Sequence, residues 1–554
     1  MTSPHRFKTG FCSPALHRSR QVIALLLVAS LGLIGPSGAQ LSGNPAAAPN
    51  AYGNASALPA LGDGSGMTTA AERRLGDRIA MSIYRDPDNL DDPILSDYLQ
   101  SLWQPLRAAA RSRGELSPEL DERFAWDIFL IRDRSVNAFA LPGGYFGIHL
   151  GLIGSVSTSD ELAAVMAHEL SHVTQRHISR LMTQQSRQAP WLLAAMILGA
   201  LAAGKNANLG SAAIVGGQAV ALQGQLNFSR DMEREADRIG YGVMTGAGFD
   251  SAGITGMFDK LQQGARLNDS GAFPYLRSHP LTTERLAEAQ SRLQLEAKPA
   301  DAQATSAAAL ANAAYAPMLH AMMAARARVL SAPGPDALRA LVAEGQRRLQ
   351  AASAPGMVVS PAASQAAGAI YGAVLAAVRL RDFGRARELL EPLGRLAAGD
   401  ARTRTAVELL AIDTDLQAGR VPLTAANFDI GNAGTRAEVL VQARSLLAAD
   451  RAQPVAERLQ AWVAANPRDA GAWQLLAEAY GKQKQDVRAI RAEAESRVAQ
   501  LEYSGALDRM RAAQTPLRNN PRSADHMESS IIDTRTRQIE ALLKEQLLQE
   551  KLDR

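Results

Sequence analysis

Apolar residues recur with helical spacing along most of the chain, and a short region in the first half has the pattern of strands. We predict helices over residues 68–84 and 92–113. Strands are predicted over residues 126–132 and 138–148, with a Pro-Gly-Gly turn inside the second segment. The first half is therefore expected to be mainly α with a small β-sheet, an α+β arrangement.

The second half is predicted to be helical throughout, with a self-similarity of roughly 34 residues, the length of a tetratricopeptide repeat. Two units show this repeat of apolar positions. The first has Val439, Ala443, Leu446 and Val455, and the corresponding positions of the second are Trp473, Ala477, Tyr480 and Ala489. About four repeats are expected over residues 311–502, stacked into an all-α solenoid with a concave binding face. A generic helical bundle is the alternative. Residues 291–310 are predicted to be a linker, and residues 503–554 a C-terminal helical tail.

The sequence H-E-L-S-H, an H-E-x-x-H motif, lies on a predicted helix that has one apolar face. Positions four residues apart share a helix face, so His168 and His172 can bind the same Zn²⁺ ion. Glu169 is the candidate general base beside that ion. Ser159 or Asp160 is expected to cap the helix. Two surface histidines beside an ordinary glutamate are the alternative, but three polar groups on a buried helix favour a metal.

A third ligand is expected from residues 228–237, where Glu233 and Asp237 lie four residues apart and therefore on one helix face. Glu233 can bind the metal, and Asp237 can accept the remaining N–H of a ligating histidine and fix its tautomer. Glu235 points away from that face by its helical spacing. A solvated acidic face is the alternative. The expected ligands of one Zn²⁺ ion per chain are His168, His172 and Glu233.

Three motifs together resemble those of a known family of zinc peptidases. They are residues 136–144, the H-E-L-S-H sequence and an S-R-x-x-E-x-x-A-D sequence. They resemble the gluzincins of the HtpX and CAAX-prenyl-protease type, and most of all their soluble branch with tetratricopeptide repeats. The resemblance covers about residues 69–290 and implies a gluzincin metallopeptidase domain over residues 68–290. It implies the same ligands as the spacing does, with Glu169 as catalytic base and Asp237 beside them.

The strand containing Asn137, Ala138 and Phe139 is the candidate binding edge for substrate. In zinc peptidases an extended substrate commonly pairs with an edge strand beside the metal, and the family resemblance supports this interpretation. An ordinary core hairpin is the alternative. His149, which follows this hairpin, and His177, which lies off the metal-binding face, are expected to be structural.

Two further residues are candidates for the site. Pro280 follows His279 and favours an extended or loop conformation there. From a loop, His279 could fill the fourth position on the zinc ion and silence the enzyme. A histidine that caps a helix or binds substrate is an equally open alternative. Arg285 is a candidate for stabilising the oxyanion.

Two apolar stretches, residues 191–203 and 212–222, lie between the predicted ligands. Each is shorter than the roughly 20 residues of a membrane-spanning helix, and a Gly- and Asn-containing segment separates them. We expect them to form a lid over the cleft, either in solution or in peripheral contact with a membrane. A buried helical hairpin without a gating role is the alternative.

Residues 1–39 are predicted to be a signal peptide, with a basic start, a short apolar run and a Ser-Gly-Ala cleavage site. An uncleaved anchor is the alternative. Residues 40–67 are expected to be a flexible leader. The single cysteine, Cys12, lies in the signal, so no disulfide is expected. Residues 1–39 hold four Lys or Arg and no acid, which leaves 55 basic and 55 acidic residues and no reason to expect a nucleic-acid partner.

The expected function is that of an exported, periplasmic zinc endopeptidase that degrades misfolded or stalled envelope and outer-membrane proteins. The resemblance implies that unfolded envelope proteins are its partners, together with the outer-membrane β-barrel assembly machinery, which the repeats would bind. The alternative is a non-proteolytic chaperone or assembly scaffold for outer-membrane β-barrel proteins. Replacement of Glu169 by Gln separates the two: loss of all function indicates the peptidase, and loss of only part of it indicates the chaperone or scaffold.

Overall fold

The computed structural model describes residues 67–185, 229–266, 273–295, 307–352, 360–422, 429–519 and 526–552. The predicted signal peptide, all but the end of the predicted leader, both apolar stretches of residues 191–222 and much of the predicted linker lie outside the described residues.

The first half contains short helices packed around one sheet, in the mainly α arrangement that the apolar pattern predicts. Its elements are α1 (Thr69–Tyr84), α2 (Pro93–Ser112), α3 (Pro118–Arg123), β1 (Asp127–Ile131), β2 (Ala138–Leu141), β3 (Tyr145–His149), α4 (Leu150–Ser155), α5 (Ser159–Thr174), α6 (His177–Gln185), α7 (Arg230–Gly246), α8 (Ala252–Arg266), α9 (Tyr275–Ser278) and α10 (Thr283–Leu295). The first two predicted helices are confirmed to within one residue at each end. Thr68 and Asp92 cap them, each accepting a backbone N–H with its side chain.

The sheet has three strands in the order β1-β3-β2, so that β2 lies at an edge. β1 runs parallel to β3, and β2 pairs with β3 as an antiparallel hairpin. Gly143 and Gly144 form its turn with φ of 74° and 80°, a region that glycine enters without steric cost. Trp126, predicted to begin the first strand, has φ 53° and therefore stands outside it.

Helix α5 carries the H-E-x-x-H motif through the centre of the first half, in contact with α2, α7, α8 and β2. Every residue from Glu161 to Thr174 is buried. The predicted cap was wrong by one residue. Thr158 is the N-cap, because its Oγ1 accepts the backbone N–H of Glu161 and leaves Ser159 as the first helical residue. Four successive residues, Ser-Thr-Ser-Asp, can each cap a helix, so the sequence alone could not select one.

The second half consists of helices that pack on their neighbours in sequence. They are α11 (Ala307–Leu330), α12 (Pro335–Ala352), α13 (Pro361–Arg379), α14 (Phe383–Ala397), α15 (Ala401–Gln417), α16 (Arg436–Ala448), α17 (Ala452–Ala465), α18 (Ala470–Lys482), α19 (Asp486–Ala499), α20 (Tyr503–Asn519) and α21 (His526–Leu552), with a 3₁₀ turn at Ile430–Asn432. Helices α18 and α19 begin 34 residues after α16 and α17, as the predicted repeat requires. The paired packing is consistent with a repeat array.

Within the described residues, α13 is long and apolar enough to cross a membrane by length and composition only. However, 78% of the apolar stretch of this helix is buried inside the protein, so the helix is weak evidence of a membrane span. It packs against α11, α12 and α14, as a core helix does.

One hydrophobic core runs from Ile94 on α2 to Val441 on α16 and so joins both halves of the chain. Asp92 and Arg326 form a buried ion pair across it, with Nη2 of Arg326 donating to Oδ2 of Asp92 at 2.6 Å. The described residues all belong to one compact unit, Gly62–Arg554. The sheet and α5 are therefore held in a fixed relation to the first helices of the second half.

Candidate metal centre

Four buried side chains from three parts of the chain meet beside α5. They are His168, His172, Glu233 and His279, and each offers one ligand atom within 4.8 Å of all the others. Nε2 of His168 lies 3.0 Å from Nε2 of His172 and 3.3 Å from Nδ1 of His279. Oε1 of Glu233 lies 3.0 Å from Nδ1 of His279 and 3.5 Å from Nε2 of His172. The structure thus brings the three predicted ligands and the predicted fourth ligand together.

The spacing of these atoms suits a zinc ion. Zinc in proteins prefers four ligands in a tetrahedron, with bonds of about 2.0–2.1 Å to nitrogen, so ligand atoms lie roughly 3.3 Å from one another. The set of three imidazoles and one carboxylate also has the donor chemistry that zinc selects. Both geometry and donor type therefore fit the expected cofactor.

Unpartnered carboxylate oxygens give a second sign that a cation belongs here. Both oxygens of Glu169 are buried and make no hydrogen bond with any described residue. A buried carboxylate without a partner is costly, and a divalent cation with its water removes that cost. Glu169 lies on the same turn of α5 as the ligands, and its Oε1 is 3.5 Å from Nε2 of His279.

Asp237 and Arg285 hold His168 from behind. Oδ1 of Asp237 lies 3.0 Å from Nδ1 of His168, and Arg285 donates to both carboxylate oxygens at 2.6 and 2.8 Å. Burial raises the pKa of Asp237, but hydrogen bonds from His168 and Arg285 outweigh it and leave the pKa below its ordinary value. Asp237 therefore stays ionised and can fix the Nδ1–H tautomer of His168.

The charge around His168 is strongly anionic. Burial lowers its pKa, but hydrogen bonds and attraction from Asp237 and Glu233 outweigh burial and raise it to about 10. In contrast, burial and the neighbouring charge on His168 hold the pKa of His172 well below its ordinary value. One positive charge is thus favoured at this point, which is the charge balance that a bound cation would use.

His279 and Arg285 take different positions relative to the predicted site. His279 follows α9 with φ −125°, a non-helical backbone conformation that the following Pro280 favours. Its side chain is buried, and the ring of Tyr275 stacks on its imidazole. Arg285 directs its donors to Asp237 and to the carbonyl of Pro280, and its Nη1 lies 2.7 Å from Oε2 of Glu233. This guanidinium therefore supports two carboxylates, and its candidate role at the oxyanion stays a prediction.

His177 and Glu235 stand outside the ligand set, as helical spacing predicts, but the structure places them directly behind His172. Nδ1 of His177 lies 2.9 Å from Nδ1 of His172, and its Nε2 lies 3.1 Å from Oε2 of Glu235. Burial lowers the pKa of His177 to about 4, so its imidazole is neutral. The contacts join the start of α6 to α5 and to α7, and spacing along one helix gives no signal of them.

The predicted substrate edge lies against the motif helix. Ala138 and Phe139 belong to β2, which contacts α5, whereas Asn137 precedes the strand and accepts the N–H of His149. The ring of Phe139 lies over Gly147, where a Cβ atom would come within 2.0 Å of it. Among the described residues, no strand pairs with the outer edge of β2. Ser135 and Asn137 both contact His149, in keeping with its predicted structural role.

The fold and this site define a zinc metallopeptidase whose ligands come from an H-E-x-x-H helix and a glutamate on a second helix. Residues 103–293 match the sequence profile of Peptidase family M48. The chain belongs to this family.

Relatives extend the similarity beyond the peptidase region. The chain is 30% identical to the beta-barrel assembly-enhancing protease of Escherichia coli K12 over 438 residues, 78% of this chain and 82% of the relative. It is 36% identical over 237 residues to a putative beta-barrel assembly-enhancing protease of Vibrio cholerae, 42% of this chain and 47% of that protein, or about half of its length. The mitochondrial metalloendopeptidase OMA1 of Arabidopsis thaliana is 27% identical over 195 residues, 35% of this chain and 36% of that protein.

Proposed function

We propose that this chain is an exported zinc endopeptidase that degrades misfolded or stalled envelope and outer-membrane proteins in the periplasm. The buried cluster of His168, His172, Glu233 and His279 is the observation that carries the proposal. Its bacterial relatives are named beta-barrel assembly-enhancing proteases, which supports β-barrel proteins as the substrate class. The signal-like sequence of residues 1–39 supports export.

In this proposal His168, His172 and Glu233 hold the zinc ion, which when bound activates a water molecule and polarises the peptide carbonyl. Glu169 takes a proton from the attacking water and passes it to the leaving amine. Its two unpartnered oxygens leave it free for both steps within the described site. Asp237 holds His168 with its Nε2 lone pair toward the ligand set, and Arg285 holds Asp237 in turn.

We assign substrate binding to the outer edge of β2. The backbone N–H of His149 donates to the carbonyl oxygen of Asn137, so alternate residues of β2, Phe139 among them, direct their backbone groups toward β3. The N–H and C=O groups of Ala138 and Ala140 therefore face away from β3. An extended peptide would add as a further strand there, close to α5.

His279 would regulate access to the metal. Its imidazole lies among the three ligands, where it occupies the position that a water molecule and substrate need. In this state the peptidase would be latent, and movement of the loop that follows α9 would open it.

The helical array of α11–α21 favours a second candidate function, a chaperone or assembly scaffold that holds unfolded β-barrel proteins or binds their assembly machinery. The 34-residue relation of α16 and α17 to α18 and α19 is the observation that favours it, because repeat arrays bind proteins and perform no chemistry. Both functions can belong to one chain.

One experiment separates the two. Purified wild type and Glu169→Gln are incubated with a denatured outer-membrane β-barrel protein that is diluted into buffer, while cleavage and aggregation are followed. We expect wild type to cleave the substrate and Glu169→Gln to suppress aggregation without cleavage. If both proteins suppress aggregation and neither cleaves, the result supports the chaperone function and contradicts the peptidase function. Cleavage by Glu169→Gln would show that Glu169 is not the general base.

A further inference from the structure

A chain of polar contacts extends from His172 toward the surface, away from the ligand set. Nδ1 of His172 lies 2.9 Å from Nδ1 of His177. Nε2 of His177 lies 3.1 Å from Oε2 of Glu235, and Nη1 of Arg180 donates to the same oxygen at 2.8 Å. His177 is fully buried, whereas Glu235 and Arg180 are partly exposed. A buried imidazole therefore connects a metal ligand to a carboxylate at the protein surface.

The donors and acceptors of this chain can be arranged in one consistent order. A neutral histidine that offers Nε2 to a metal carries its proton on Nδ1. Nδ1–H of His172 then donates to Nδ1 of His177, which must be the bare nitrogen of that ring. The proton of a neutral His177 consequently sits on Nε2 and is donated to Glu235. The carboxylate accepts from both His177 and Arg180.

The local backbone places His177 in this position. Arg176 lies between α5 and α6 with φ 53°, so the motif helix ends there and α6 starts in a new direction. The side chain of Arg176 donates to Glu72 of α1 at 2.9 Å. His177 is the first residue of α6, and its ring lies at 76° to that of His172 with centroids 4.9 Å apart.

We propose that His177 is a positioning residue of the zinc site, which fixes the tautomer and ring orientation of His172, and that Glu235 fixes the tautomer of His177. Glu235 thus acts on His172 as Asp237 acts on His168, but through the imidazole of His177. Asp237 contacts His168 directly, and each of the two carboxylates is itself contacted by an arginine. This inference rests on the proposed use of His172 as a zinc ligand.

The test is the zinc dissociation constant of the full purified chain, measured by competition with a chromophoric chelator, together with the thermal stability of the metal-free protein. His177→Ala removes the acceptor of the His172 N–H and is expected to weaken zinc binding by about 10- to 100-fold. His177→Asn can place Oδ1 near the former Nδ1 and should recover most of that loss. Glu235→Ala should weaken binding by a smaller factor, and Asp231→Ala on the same helix is its control for lost negative charge.

The outcomes separate this inference from the proposed function. Wild-type zinc affinity in folded His177→Ala would overturn it, as would equal losses of affinity in His177→Ala and His177→Asn. If His177→Ala does not fold, Glu235→Ala decides: weaker zinc binding than in Asp231→Ala supports the inference, and equal binding overturns it. A wild-type chain that takes up no zinc contradicts the proposed function, and with it the premise of this inference.

Discussion

At the scale of single residues, the site separates side chains that face the metal from side chains that hold them. Both oxygens of Glu169 are buried without hydrogen-bond partners among the described residues, which suits a group that acts on water. Asp237, in contrast, uses its oxygens on His168 and Arg285. A carboxylate's contacts thus indicate whether it performs chemistry or supports it.

His279 is the residue whose replacement should increase activity. It contacts Glu233 at 3.0 Å and His168 at 3.3 Å, and in the proposed latent state its imidazole would take the position of water and substrate. We expect His279→Ala to raise cleavage of an unfolded protein at least several-fold while zinc remains bound, measured as the initial cleavage rate at equal zinc content. Cleavage at or below the wild-type rate in the zinc-loaded variant would show that His279 does not silence the site.

Sequence predicted the ligand set well because helical spacing determines it. His168 and His172 share one face of α5, and Glu233 and Asp237 share one face of α7. The contacts of Arg285 with Asp237 and of His177 with His172 could not be predicted in this way, because separate elements meet only in the folded chain. The structure shows the guanidinium of Arg285 against Asp237 and Glu233, and its candidate role at the oxyanion stays a prediction.

At the scale of elements, the edge of β2 is the feature that connects the sheet to catalysis. Ala140 sits opposite Phe146 at a position where the backbone groups of β2 point away from β3. Its side chain is only partly buried, so a substitution there affects the edge more than the core. Among the described residues no strand pairs with this edge, and the proposed substrate strand would use the N–H of Ala140.

Ala140→Pro removes this N–H without removing a bond of the β2–β3 ladder, and proline is tolerated on edge strands. We expect kcat/KM for an extended peptide to fall by about tenfold, which corresponds to one lost hydrogen bond of roughly 1–1.5 kcal/mol. Ala140→Ser keeps the N–H and serves as the matched control. Equal kcat/KM in the two variants, with zinc content unchanged, would place substrate elsewhere.

At the scale of the whole molecule, polar contacts hold the helical array against the peptidase half. Arg326 of α11 pairs with Asp92 at the start of α2 and also donates to the hydroxyl of Tyr371. Arg436 of α16 binds both Asp91 and Asp469. The Arg326–Asp92 and Arg436–Asp91 pairs cross the predicted boundary between the two halves, and the two halves also share one hydrophobic core.

Arg326→Met should destabilise the whole chain, because it leaves Asp92 buried without its cation. The expected loss is about 3–5 kcal/mol in the free energy of unfolding, measured by chemical denaturation at neutral pH. Arg339→Met, which removes an exposed ion pair with Asp336, is the control and should leave stability nearly unchanged. A loss no larger than that of the control would mean that this pair does not stabilise the shared core.

The same ion pair gives stability a defined pH dependence. Burial raises the pKa of Asp92, but attraction and hydrogen bonds from Arg326 outweigh it and leave the pKa below its ordinary value. The folded state therefore favours the ionised carboxylate more than the unfolded chain does. The contribution is complete above the ordinary pKa of aspartic acid and is lost as the pH falls through the lowered value.

The sequence also predicted much of the fold, since apolar spacing identified α1, α2, the β2–β3 hairpin and the 34-residue relation of α16 to α18. It could not predict that the core continues from α2 to α16, because the apolar faces of both are equally suited to a domain interior of their own. Asp92 and Arg326 pair with each other although they lie 234 residues apart, and neither local sequence indicates the other. Tertiary packing alone determines such contacts.

The most direct test of the central claim is the zinc content of the purified wild type and Glu169→Gln, measured together with cleavage of an unfolded β-barrel protein. One zinc ion per chain in both proteins and cleavage by wild type alone is the predicted result, because Glu169 moves the proton and does not hold the metal. A wild-type chain that binds no zinc, or a Glu169→Gln chain that still cuts, would contradict the account.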